Sequence, residues 1–343
     1  MDVNPFLLDV LDQPRALRSL ADFYDSDPGV SLLSSTPAPT APVLVGMGAS
    51  FHAVRSTTPY LHTLGIPALT IESVDLLHYG IPLMDRHDLL LFVSQSGASA
   101  EVMPIVGCVP SHVSLWAMTN NADSPLARHS SQTFPLLAGA ETVVATKTYV
   151  NSLATLWLLG RKWAGDADAG GIEVLRWAAD EMERLLADAD AIVGQWLDVL
   201  GEVDTLLFIG HGPQAATAGE AAMLISEWAK MPAMSASAGA VRHGLMEMVQ
   251  PGCGIVVFAA PGRAYASSLS LAEEVAGYGA RVLVVEGGRI RDVRSAALGE
   301  SVVDEFLSPV LDVVPVQLFA DAWARRLGIP MGFRHIQKVV TRL

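Results

Sequence analysis

Three hydroxyls crowded at the end of an apolar run are the first residues in this chain equipped for chemistry. The segment Leu89-Leu90-Leu91-Phe92-Val93-Ser94-Gln95-Ser96-Gly97-Ala98-Ser99-Ala100-Glu101 reads as a buried strand, a Ser/Gly turn and a following helix. Backbone N–H groups at a helix N-terminus carry partial positive charge and have no intrahelical acceptor. Phosphate oxygens can satisfy them, and the Ser94, Ser96 and Ser99 hydroxyls would complete the cradle. No Lys or Arg stands in the turn, and none is required. One serine would read as a helix cap; three after a buried strand predict an anion site. A second glycine-rich turn, Gly46-Met47-Gly48-Ala49-Ser50-Phe51, fails the dinucleotide fingerprint where Phe51 replaces the third glycine. A nicotinamide cofactor is therefore not expected. Ser50 reads either as a further hydroxyl beside the anion or as a helix cap.

Proton-transfer groups lie farther along. In Glu220-Ala221-Ala222-Met223-Leu224-Ile225-Ser226-Glu227 the spacing predicts a helix with Glu220, Leu224 and Glu227 on one face. Carboxylates in so apolar a segment are unusual, although the same face could simply meet solvent. His243, in Arg242-His243-Gly244, has a glycine neighbour that would leave its imidazole accessible. A carboxylate and an imidazole suit aldose–ketose chemistry, which needs a base at C1/C2 and an acid–base group at the ring oxygen. A lone histidine is more often structural.

Positioning these residues requires two alternating strand–helix halves. Residues 5–25 read as helix, interrupted at Pro14. Ser31 to Pro42 reads as a surface connection. Pro42–Val45, Pro67–Ile71, Asp88–Val93, Val113–Met118 and Thr133–Leu137 read as strands. Gly165 to Gly171 reads as a linker, and Ile172–Leu200 as one long helix. The pattern restarts with strands at Asp204–Ile209, Gly254–Ala259, Ala280–Glu286 and Ser308–Val314. Wholly apolar strands alternating with helices indicate parallel sheets covered on both faces, an α/β architecture duplicated in tandem.

The 343 residues are 51% hydrophobic and 17% charged, enough for sizeable cores. A net charge of −14 without basic clusters argues against nucleic acid and anionic membrane as partners. Cys108 and Cys253 lie far apart, outside any metal-ligand spacing, so neither a disulfide framework nor a metal is expected. Met1-Asp2-Val3-Asn4-Pro5 carries no basic leader, and no apolar run reaches the roughly 18 residues of a membrane helix. A soluble cytoplasmic protein is the expectation.

Together these motifs resemble the isomerase portion of glutamine–fructose-6-phosphate aminotransferases, built of two tandem sugar-isomerase (SIS) domains, and its free-standing deaminase and deglycase relatives. The resemblance begins at Gln13-Pro14-Arg15-Ala16-Leu17 and runs through Gly46–Ser50, Ser94–Ser99, Glu141–Thr148, Glu220–Glu227 and Arg242–Gly244 to Lys338-Val339-Val340-Thr341. It implies a helix over 1–25, a first domain over 26–165, a connection over 166–200, a second domain over 201–328 and a tail over 329–343. It implies that Ser50, Ser94, Gln95, Ser96 and Ser99 contact the phosphate and sugar, with Val143 and Ala145 beside the sugar. Glu227 would shuttle the C1/C2 proton and Lys338 would close the site. His243 would open the sugar ring from a neighbouring subunit, which implies a homodimer with shared active sites. The expected substrate is an (amino)sugar 6-phosphate, with no cofactor.

The chain also departs from that pattern. Leu224 stands where the aminotransferases carry a lysine, which removes a cation and adds apolar surface beside Glu227; both changes raise a carboxyl pKa. Ala240 replaces a glutamate, and Leu245 follows Gly244 where proline is usual. With Asp2 at the second position no glutaminase nucleophile is expected, so glutamine-driven synthesis is not the anticipated reaction. The turn Ala259-Ala260-Pro261-Gly262 lacks hydroxyls, which implies a single phosphate site, in the first domain. Isomerase or deaminase chemistry leads these expectations. Deglycation of a fructosamine 6-phosphate and a non-catalytic sugar-phosphate sensor are the alternatives.

Overall fold

Strand formation follows the runs of Leu, Val, Ile and Phe, because only the interior of a parallel sheet hides apolar side chains on both faces. The computed structural model describes residues 4–166, 170–294, 303–335 and 337–340. The chain opens with helices α1 (Pro5–Leu11), α2 (Gln13–Asp25) and α3 (Asp27–Ser34). The break falls at Asp12. Pro14 sits in the first turn of α2, where its missing N–H has no helical partner to lose. Residues 31–34 of the expected connection belong to α3.

The chain divides into two units, Asp12–Ala179 with Arg334–Leu343, and Met1–Leu11 with Asp180–Phe333. In the former, β1 (Pro42–Gly46), β2 (Leu69–Glu72), β3 (Leu89–Val93), β4 (Ser114–Thr119) and β5 (Gln132–Pro135) form a parallel sheet in the order β2-β1-β3-β4-β5. Helix α4 (Ala49–Thr63) follows β1. The short α5 (Ser73–Asp75) runs on through a π-helical turn at Leu76–Gly80 and a 3-10 turn at Ile81–Arg86. Helices α6 (Val102–Val106), α7 (Pro125–His129), α8 (Lys147–Trp163) and α9 (Gly170–Ala187) complete the series, and α9 runs across the division. Val43, Val45, Leu90 and Phe92 pack with Val102 and Ile105 on one face of the sheet. Each such side chain, fully buried, is worth roughly 1.5–3 kcal/mol.

The other unit contains α10 (Ala189–Leu200), β6 (Thr205–Gly210), α11 (Gln214–Trp228), β7 (Ala233–Ser237), α12 (Ala238–Arg242), β8 (Cys253–Phe258), α13 (Tyr265–Gly277), β9 (Arg281–Glu286), β10 (Arg289–Asp292) and α14 (Pro309–Arg326). Its sheet order, β10-β9-β8-β6-β7, repeats the first arrangement strand for strand, except that β10 is antiparallel. The repeat extends to the turns. A Cβ on Gly46 would lie 2.7 Å from the Ser50 carbonyl carbon, and one on Gly210 would lie 2.1 Å from the Gln214 carbonyl oxygen. Each first strand thus needs glycine where its helix folds back onto it.

Three further expectations are corrected. Ser308–Val314 is not a strand: Pro309 opens α14, which is buried almost all round, and a short apolar run of that kind looks alike in a buried helix and a buried strand. Ile172–Leu200 is two helices that part at Asp188. Gly170 and Gly171 of the expected linker are helical, while residues 167–169 of that linker lie outside the described residues, as do Met1-Asp2-Val3 and Thr341. No helix among the described residues is long and apolar enough to cross a membrane.

Candidate active site

The Ser94–Ser99 turn leaves the sheet beside the Gly46–Ser50 turn, because β1 and β3 are adjacent parallel strands with Val45 opposite Phe92. The C-terminal edge of such a sheet is where ligands bind in open α/β folds. Ser94 is buried, and its Oγ accepts from Gly97 N at 3.2 Å and lies 3.5 Å from Ser99 Oγ. Ser96 Oγ accepts from Ala98 N at 3.2 Å. Outward carbonyls are fastened to the next strand end: Gln95 O accepts from Asn120 N at 3.0 Å and from Thr119 Oγ1 at 3.2 Å. Among the described residues no acceptor faces the backbone N–H groups of Gln95, Ser96 and Ser99. Gly97 has φ +59°, and a Cβ there would lie 2.2 Å from Ser124 Oγ. The turn is therefore a preformed cradle of N–H and O–H groups, suited to an anion. The expected helix begins only at Val102 and spans 5 residues, so the turn itself supplies the donors. Ser50 lies in the first turn of α4.

Val143 and Ala145 lie half-buried in the segment before α8. That segment is organised by Glu141, whose function the motif alone did not disclose. Its carboxylate accepts from Thr146 N at 2.8 Å, Thr146 Oγ1 at 3.2 Å, Thr148 N at 3.1 Å and Thr148 Oγ1 at 2.8 Å. It thereby caps α8, where a negative charge meets the positive end of the helix. The same residue receives the tail: Lys338 Nζ donates to Glu141 O and lies 3.5 Å from Glu141 Oε2. Ala100 N donates to Val340 O at 3.0 Å, so the tail also touches the serine turn. His52, two residues past Ser50, is held neutral, its pKa pushed down to about 4 first by burial and then by Arg55.

Glu227 and His243 belong to the other unit. Glu227 occupies the last turn of α11, and burial pushes its carboxyl above the usual range while the nearby Lys230 pulls it down. The cation missing at Leu224 is thus partly replaced from the C-terminal side, by a residue the sequence reading passed over. Its only signal was a lysine within one turn of the glutamate. His243 directly follows α12 and is exposed. No hydrogen bond or ion pair joins its ring to another candidate among the described residues. No group of three or more His, Cys, Asp or Glu there could hold a metal.

Comparison with known proteins accounts for the repeated sheet. The SIS domain model matches residues 42–161 and again 200–320. The isomerizing glutamine–fructose-6-phosphate aminotransferase of Methanothermobacter thermautotrophicus is 30% identical over 346 residues, covering 98% of this chain and 57% of the relative. The chain thus spans little more than half of that protein's length. Among solved structures, glucosamine-6-phosphate deaminase from Thermotoga maritima has a TM-score of 0.76 at 22% identity, covering 98% of this chain and 99% of its own. Tagatose-6-phosphate ketose/aldose isomerase from Escherichia coli gives 0.77 at 21%, with 95% and 93% covered. Matched twice along most of its length, this chain belongs to the SIS domain family.

Proposed function

We propose that the chain is a phosphosugar isomerase or deaminase that acts on an (amino)sugar 6-phosphate, such as glucosamine 6-phosphate, through an enediol-type proton shuttle. The observation that carries this reading is the serine turn, with its open N–H groups and hydroxyls at the sheet's C-terminal edge. The relatives are named for fructose 6-phosphate, glucosamine 6-phosphate and tagatose 6-phosphate, which suits a chain that offers both a phosphate anchor and a carboxylate base. In a 2-amino aldose, Glu227 would take the C2 proton and return it to C1. The C1 aldehyde becomes a hydroxymethyl group and the C2 amine an imine. Water then hydrolyses the imine to a ketone and ammonia. Lys338 would close over the sugar. The exposed His243 would serve ring opening across a homodimer, in a cytoplasmic enzyme.

Proton NMR in D₂O with glucosamine 6-phosphate, and then with fructose 6-phosphate, tests this. Loss of the C2 proton signal of the aldose is expected, and of a C1 proton signal of the ketose, with ammonia released from the amino sugar, and Glu227→Gln should abolish the exchange while ligand binding persists. Binding without exchange for either sugar would overturn the reading in favour of a fructosamine 6-phosphate substrate or a sensor.

A further inference from the structure

We infer that Lys230 is a positioning residue for Glu227, fixing the end of α11 and setting an ammonium beside the carboxylate without occupying it. The inference rests on the proposed role of Glu227. Lys230 follows the cap residue of α11 at φ +54°, a left-handed conformation in which glycine or asparagine would be at ease and lysine is not. A strained backbone kept for one particular side chain points to what that side chain does. Its Nζ donates to Glu227 O and, at 3.0 Å, to Gly332 O. The first contact satisfies a terminal helix carbonyl and sets a cation at the negative end of the helix. The second ties that turn to Gly332, in the same unit.

Both of these contacts are to backbone oxygens, which leaves the Glu227 carboxylate to a substrate. Of the other charges on elements packed against α11, Asp9 lies buried on α1, whose Phe6 stacks on Trp228. Leu224, one turn earlier, is apolar, and β6, β7 and β8, packed on α11, carry no charged residue. On α14, Asp312 is held by Ser308, Gln214 and Gly288. Asp321 is held by Asn4 and Arg325, and Arg326 lies 3.7 Å from Glu202. Glu220, on α11 itself, is buried one turn before Leu224.

The test is a carboxyl ¹³C NMR titration of Glu227, identified by its loss in Glu227→Gln, together with the pH profile of kcat/KM. In Lys230→Met the Glu227 midpoint should rise by about one pH unit, and the acidic limb of the profile should move up with it. Lys230→Arg should restore both. Lys230→Gln, which keeps hydrogen-bonding capacity without charge, should titrate as the Met variant does, and it serves if the Met variant fails to fold. An unmoved midpoint in the neutral variants, with only the melting temperature lowered, would reduce Lys230 to a helix cap and overturn the inference. A shifted midpoint in a protein that turns over no sugar phosphate would uphold the Lys230–Glu227 pairing and sink the isomerase reading instead.

Discussion

A phosphate in the serine turn would be held by neutral donors alone, so each hydroxyl should matter more than it would beside an arginine. Hydrogen bonds to a charged group are worth about 1.5–3 kcal/mol. Ser96→Ala removes a hydroxyl and frees Ala98 N, to which it was bound. It should weaken sugar-phosphate binding by at least roughly 10-fold by calorimetry, with circular dichroism unchanged. An unaltered affinity would place the phosphate elsewhere. At this scale the serine turn was legible in the sequence because its geometry is local: strand, turn and hydroxyls are contiguous. Glu141 and Lys230 were not. Glu141 acts by receiving Lys338, which is 197 residues away, and Lys230 by reaching Gly332, which is 102 residues away. Nothing in the sequence around either residue announces such a partner.

Among the elements, legibility followed the apolar run, and the half-buried edge strands β2 and β5 were read as well. β1, β3, β6, β8 and β9 were read from their apolar runs because both of their faces are covered. β7, with the sequence Ala-Met-Ser-Ala-Ser, and β10, with Arg-Ile-Arg-Asp, escaped notice. Both lie at sheet edges, where small or charged residues are tolerated and the apolar signal fades. The serine turn is itself an element whose shape depends on one residue. Gly97→Ala would strain a φ of +59° and drive a methyl group onto Ser124, whose Oγ caps α7 through Ala127 N at 3.2 Å. A cost of about 1–3 kcal/mol is expected. It should fall mainly on the turn, as a loss of sugar-phosphate affinity of roughly 10- to 100-fold. Full affinity in a folded Gly97→Ala variant would mean that the observed turn is not the binding conformation.

Across the whole molecule the duplicated sheet was foreseen, yet individual carboxyls in the two copies carry opposite dependences on pH, which no sequence pattern showed. In the unit with the serine turn, Asp12 is held below the usual carboxylate range, chiefly by its hydrogen bond from Arg15. Asp88 is also held low: burial pushes it up, but bonds from Thr40 and Ala41 outweigh that. Such groups contribute stability above their unfolded pKa and lose it as pH falls through the folded one. In the other unit, burial raises Asp312 to about 6, against hydrogen bonds from Ser308, Gly288 and Gln214. Its contribution is full below the unfolded value of 3.8 and is lost as pH rises through about 6. The difference amounts to about 3 kcal/mol at neutral pH, at about 1.4 kcal/mol per pKa unit. An asparagine at this position cannot ionise. Its amide would face Gln214 Nε2, now 2.6 Å from the carboxylate, but the Gln214 side chain can turn over and present Oε1, which is buried without a partner. Asp312→Asn should therefore match the wild type near pH 4 and melt higher near pH 7 in calorimetric scans. Equal melting temperatures at both pH values would mean that Asp312 is ionised in the folded chain without penalty, and that the Ser308–Gln214–Gly288 bonds fully offset its burial.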